Sequence, residues 1–150
     1  MARTWLRVRV ELLGGGGHEL KPPPGRDLVV GPAHTFAELA EAIDDAFARW
    51  DRAHLSEFTL ADGRLVGWSN SEYDEPETVR LDPEQSAVAR EAGPGDVFDY
   101  VFDFGDRWRH RCSVAEDKVD VIAAYGRLPL RPVAVWGWGS IPDQHGRRHP

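Results

Sequence analysis

Among the residues of this 150-residue chain whose types hold divalent metals or move protons, five are the candidates for a shared site: His54, Asp103, Asp106, His110 and Asp143. Imidazole and carboxylate donors together suit zinc, manganese or iron, and the chemistry they would support is metal-assisted hydrolysis. They are spread widely along the chain. They can act together only if the loop near residues 103–106 meets the C-terminal segment. A second set is aromatic. Trp108 belongs to the stretch "FDYVFDFGDRWRHRC" (98–112), and Trp136 and Trp138 stand two apart in "VWGWG". On an extended chain the latter two share a side, where they could line a groove for a peptide, a small apolar ligand or a partner subunit. Alternatively, the same arm closes over an open end of the core. Exposed rings would favour recognition and buried rings closure.

Other chemistries fail on their residue requirements. The "GGGG" at 14–17 is followed by His18-Glu19 and not by the Gly-Lys-Ser/Thr of a phosphate-binding loop. Asp103-Phe104-Gly105 spells the magnesium-binding triplet of protein kinases, but the glycine-rich and catalytic loops that give it meaning are missing. Glu72, Asp74, Glu75 and Glu77 could attract a cation, yet their spacing is no calcium loop. Cys112 is the sole cysteine, which excludes an internal disulfide and a thiolate zinc cluster. Its expected inward position on a strand leaves it inert. No cofactor fingerprint is found and no metal is assigned. The net charge of −7 is the opposite of a nucleic-acid-binding footprint. Neither a signal peptide nor a membrane-spanning run is visible, so the expected location is cytoplasmic. Sixteen of the eighteen basic residues are Arg, which reflects codon bias alongside the abundant Ala, Gly and Pro.

The elements that must position these residues can be read from periodicity. A chain of this length forms one domain with a full core, burying roughly 70% of its extended surface. "TWLRVRVEL" (4–12) alternates Leu6, Val8, Val10 and Leu12 against Arg7, Arg9 and Glu11, which is a half-buried strand. A short strand follows at 27–30. The main helix covers about 35–50, with Thr35 and Glu38 forming a capping box. Phe36, Leu39, Ala40, Ile43, Phe47 and Trp50 make its apolar stripe, and Glu38, Glu41, Asp44 and Asp45 face away. Asp62-Gly63 predicts a two-residue hairpin turn that sets Leu60 opposite Leu65. Residues 83–91 suggest a short helix.

A central hairpin is expected over about 97–115. Phe98, Tyr100, Phe102 and Phe104 share one face of its first strand, and Trp108, His110, Cys112 and Val114 share one face of its second. Both sets reach the same core only across an odd-numbered loop. A three-residue loop with Gly105 in the left-handed position meets that condition. The same register brings Asp99 and Asp103 near the arginines. His110 then points inward, as a buried histidine bonded to backbone or carboxylate, or else as a ligand. The fold class is α+β: a single domain over 1–150, with one helix packed on a mixed, mostly antiparallel sheet.

"YVFDFGDRWRHRCSV" resembles the signature of the plasmid pRiA4b ORF-three-like family at Tyr100, Phe102, Asp103, Phe104, Gly105, Asp106, Trp108 and His110. Upstream, Thr35, Leu39, Trp50, His54, Leu55 and Phe58 are similar to the family's helix and following His-Leu-x-x-Phe strand. The ending "VWGWGSIPDQHGRR" is similar to one branch. The resemblance implies an α+β fold and little chemistry, because members are uncharacterised proteins found on plasmids and beside insertion sequences. Some are labelled resolvases, but this acidic chain has no helix-turn-helix to support that. It also lacks the Pro-Pro-Glu-Asp ending with nearby cysteines that many members carry, so any metal site built there is expected to be absent.

Two functions compete. One is a binding or accessory module, linked to mobile elements and acting through a protein or small-molecule partner, as a monomer or homo-oligomer. The other is a metal-dependent hydrolase-type enzyme using the His/Asp set. Nucleic acid and membrane partners are disfavoured.

Overall fold

Alternation near the start of the chain produces a long interior strand of the sheet. In the computed structural model, which describes residues 5–68 and 77–146, Leu6, Val8, Val10 and Leu12 are buried along β1 (Leu6–Gly15) while Arg7 and Arg9 face solvent. β1 lies between β3 (Gly25–Val30) and β8 (Trp108–Val114), antiparallel to both. Beyond β8 come β7 (Val97–Phe102), β4 (Ser56–Thr59), β5 (Leu65–Gly67) and β6 (Arg80–Leu81), and beyond β3 lies β9 (Val133–Trp138). β2 (His18–Glu19) folds back on the end of β1. The β5–β6 pair is parallel and the other pairs antiparallel, so the sheet is mixed and mostly antiparallel. Two further short helices, α2 (Val88–Glu91) and α3 (Val121–Tyr125), complete the α+β fold.

The main helix, α1 (Phe36–Ala46), starts as expected. Thr35 N–H donates to Glu38 Oε1 at 2.9 Å and Glu38 N–H to Thr35 Oγ1 at 3.2 Å. Phe36, Leu39 and Ile43 are fully buried against the sheet, each contributing about 2 kcal/mol. The helix stops earlier than the apolar stripe predicts. The chain turns out through Ala48, whose φ of +55° is left-handed, and Trp50 is swung into solvent at 48% exposure. Asp44, expected on the outer face, is buried, and both its oxygens accept from the Tyr100 hydroxyl at 3.0 and 3.1 Å.

Three local expectations need correction. The first hairpin pairs Thr59 with Leu65, so Leu60 faces Arg64 instead of Leu65. Gly63 alone takes a left-handed φ, and Asp62 Oδ1 accepts from Arg64 N–H, which makes a three-residue turn. Residues 83–87 are not helical: the carbonyls of Pro83 and Ser86 accept the unpaired N–H groups of Ala37 and Phe36 at the start of α1. The strand expected at 27–30 begins at Gly25. Glu72, Asp74 and Glu75 of the acidic stretch lie outside the described residues.

The central hairpin has the expected register. Phe102 pairs with Trp108, Tyr100 with His110 and Phe98 with Cys112, across an odd loop of residues 103–107. The left-handed positions, however, are Asp103 and Arg107 and not Gly105. At Gly105 a Cβ would stand 3.2 Å from Asp103 Oδ1, so a side chain there would require Asp103 to give by a few tenths of an ångström.

Candidate metal centre

Three loops meet at one end of the sheet, and each uses one carboxylate in the same way. In the hairpin loop, Asp103 Oδ1 accepts N–H groups of Gly105 and Asp106 at 3.0 and 3.3 Å, an arrangement that tolerates the left-handed backbone. Its other oxygen lies 3.6 Å from His54 Nδ1. In the α1–β4 loop, Asp51 Oδ1 accepts from Ala53 N–H at 3.2 Å, and Oδ2 is left facing the histidines. In the C-terminal arm, Asp143 Oδ2 accepts from His145 N–H at 3.0 Å. The Asp103 N–H donates to the Leu55 carbonyl at 2.8 Å, and Gly16 N–H donates to Asp106 O at 2.7 Å, so the loops are tied together by backbone.

His54 Nε2 and His145 Nε2 converge on the same atom, Asp51 Oδ2, at 3.2 and 3.0 Å. Oxygen and nitrogen donors of these three residues lie within 4.8 Å of one another. These hydrogen bonds, that of His145 foremost, hold the Asp51 carboxyl below the usual carboxylate range. The far nitrogens also face carboxylates: His54 Nδ1 faces Asp103 and His145 Nδ1 faces Asp106, at 3.6 and 3.7 Å. Those separations exceed a hydrogen bond. As the hydrogen bonds stand, each Nε2–H donates to Asp51 Oδ2; a metal bound at that point would take the place of the two protons, and each ring would then carry its proton on Nδ1, facing Asp103 or Asp106. Carboxylates behind metal-bound histidines do this work in known sites. Phe102 and Trp50 stand edge-on to His54 and His145 at 5.8 and 5.0 Å and set their ring planes. A cleft of about 470 Å³ opens beside His145, walled by Asp106, Trp108, Pro142, Asp143, His18 and Leu20.

Of the residues expected to act, the fold brings together His54, Asp103 and Asp106, with Asp143 and Trp108 in the cleft wall. His110 is separate. It is 1% exposed, its Nδ1–H donates to Tyr100 O at 3.0 Å, and its Nε2 accepts from the Arg49 guanidinium at 2.9 Å. Burial, with Arg49 beside it, pushes its pKa down to about 3, so it is a neutral structural group. Arg49 is itself buried among Phe47, Phe102 and Trp108 and pushed down to about 10 by desolvation. Trp136 and Trp138 lie on the opposite face of the sheet, where Trp138 stacks under Arg9 at 4.7 Å and Arg9 pairs with Asp27 at 2.9 Å. Trp138 covers Gly25, while Trp136 remains 59% exposed, so closure and exposure are divided between them. The Cys112 thiol is buried and its pKa raised by desolvation, which leaves it protonated.

The sequence reading passes over Asp51 and His145. Two signals were available: the Asp51-x-x-His54 spacing, and the His145-x-x-x-His149 pair within the ending read as lacking a metal site. His149 lies outside the described residues.

A family model described as Plasmid pRiA4b ORF-3-like protein matches residues 5–137. The fold is similar to the crystal structure of a protein of unknown function, MM3350, from Methanosarcina mazei Go1. That similarity has 17% identity and a TM-score of 0.70, and covers 96% of this chain and 74% of the other. No curated protein matches the chain. Among the described residues, no helix is long and apolar enough to cross a membrane.

Proposed function

We propose that this chain, which belongs to the plasmid pRiA4b ORF-3-like family, is a metal-dependent small-ligand-binding module. Asp51, His54 and His145 hold a divalent ion of the zinc class, and the adjoining cleft receives the ligand. The observation that carries this reading is the convergence of two Nε2 atoms on one carboxylate oxygen, with a further carboxylate behind each ring. Mixed nitrogen and oxygen donors suit zinc, manganese or iron. Three protein ligands leave coordination positions for water or a ligand. A second reading, metal-assisted hydrolysis, is favoured by the opening of that cleft directly beside His145. The carboxylate-rich rim and net charge of −7 speak against nucleic acid as the partner. A cytoplasmic, mobile-element-associated role is supported by the family's name and by the single buried cysteine.

Native mass spectrometry on protein purified without chelators, followed by zinc titration calorimetry, tests the reading. One zinc per chain is expected, lost in His145→Ala and Asp51→Asn with the circular dichroism of the sheet unchanged. Failure of the wild type to take up zinc, or full uptake by both variants, would sink it. Zinc-dependent turnover of activated esters, absent in His145→Ala, would select hydrolysis over binding alone.

A further inference from the structure

Gln144 is 3% exposed although it sits in a turn of the C-terminal arm rather than in a helix or strand. Both ends of its amide are engaged. Oε1 accepts from the N–H groups of Trp50 and Asp51 at 3.1 and 3.0 Å, and Nε2 donates to the Asp51 carbonyl at 2.7 Å. One side chain thus binds both sides of the backbone that carries the carboxylate Asp51, while the next residue supplies His145 to the same carboxylate. Trp50 adds an edge-on contact to the His145 ring at 5.0 Å.

The arm is held upstream by Arg26 and Pro24 and downstream by Ile141, Gln144 and His145. Arg26 donates to the carbonyls of Trp138 and Gly139 at 2.7 and 3.3 Å, and Gly139 turns with a φ of +81° against Pro24. After that turn, Ile141 packs against the core and Gln144 makes the next set of bonds to the body. Pro142, Asp143, Gln144 and His145 form one wall of the cleft. Undocking this segment would remove a wall of the cleft and a ligand of the centre together.

We propose that the C-terminal arm, residues 140–146, is a metal-stabilised flap. Ion binding and arm docking are one coupled event, with Gln144 as the positioning residue that presents His145 to Asp51 and His54. This rests on the metal reading above and adds to it a regulation: the cleft is complete when the ion is bound and opens when it leaves. Coupling is reciprocal: the factor by which the docked arm raises metal affinity is the factor by which the bound ion favours docking.

Hydrogen–deuterium exchange of the full chain, with and without zinc, reads the coupling directly. Amides at 140–146 are expected to slow about tenfold on zinc addition while those of β8 do not change. Gln144→Ala is expected to lower zinc affinity about tenfold, the usual scale for groups that orient metal ligands, and to speed arm exchange in the apo protein. Gln144→Glu, which keeps the acceptor and loses the donor, should fall between. Zinc uptake by the wild type with unchanged arm exchange would overturn the flap alone, as would a Gln144→Ala protein with wild-type zinc affinity. No zinc uptake by the wild type would overturn the metal reading and the flap with it. If Gln144→Ala fails to fold, Gln144→Glu and the wild-type exchange still decide.

Discussion

His110 and His54 are separated by little more than Phe102 and Arg49, yet they occupy opposite chemical situations. Phe102 touches His54 edge-on and lies under Arg49, which in turn donates to His110. His110 is closed off: each ring nitrogen has an internal partner, and the aromatic side chains of Phe47 and Tyr100 pack on it. His54 and His145 are partly open, and their inner nitrogens meet on a carboxylate that solvent can reach. The second partner separates the two: His54 faces another potential ligand, whereas His110 faces the Arg49 guanidinium. A donor from the core makes His110 architecture.

Replacing each histidine should separate the two regions sharply. His110→Ala leaves a cavity and strands an Arg49 donor and the Tyr100 carbonyl, and should cost about 4 kcal/mol in denaturant unfolding. His54→Ala should cost under about 1 kcal/mol while zinc affinity falls at least 100-fold. Equal stability losses at the two positions would break the contrast.

Acid and base should each find a different member of the buried network. His110 has a folded pKa of about 3 against 6.5 unfolded, so its contribution is present above pH 6.5 and is lost as pH falls. About 3 kcal/mol should be gone by pH 4. Asp44 is pushed up to about 7 by burial, against the pull of Tyr100 and Arg49. Its contribution is complete below pH 3.8 and is lost as pH rises towards 7. Asp44→Asn should therefore gain roughly 4 kcal/mol over the wild type by pH 8 and under about 1 kcal/mol at pH 4. Unfolding curves across this range check both signs, and a wild type whose stability is flat from pH 4 to pH 8 would contradict them. The smallest effect is expected on the far face of the sheet, where Trp136→Ala should shift stability by less than about 0.5 kcal/mol. A larger loss would mean that its exposed ring is engaged.

The hairpin register was legible because period-two alternation and loop parity leave one solution, and Phe102 opposite Trp108 follows from them. The start of α1 was legible because a capping box is local. Asp44 was misread because its charge was weighed above its place, eight residues after Phe36, on the apolar stripe, and its partner, Tyr100, is 56 residues away. The exit through Ala48, which turns Trp50 outward, has no local cue, since alanine rarely adopts a left-handed backbone. Of the candidate site, the hairpin half was visible in the residues around Asp103 and Asp106. The other half needed the path of the arm, because Asp51 and His145 meet across 94 residues.

The placement of β1 between β3 and β8 has a kinetic consequence. Val8 pairs with Val114, and Leu12 with His110, so each rung of that ladder closes a loop of roughly a hundred residues before any contact rewards it. The search for this pairing should dominate the time the chain takes to fold. During that search β1, with its unbroken row of Leu6, Val8, Val10 and Leu12, remains a bare strand edge open to other chains. Crowded expression at high temperature should therefore produce aggregates seeded through β1, and charges on that strand would reduce them.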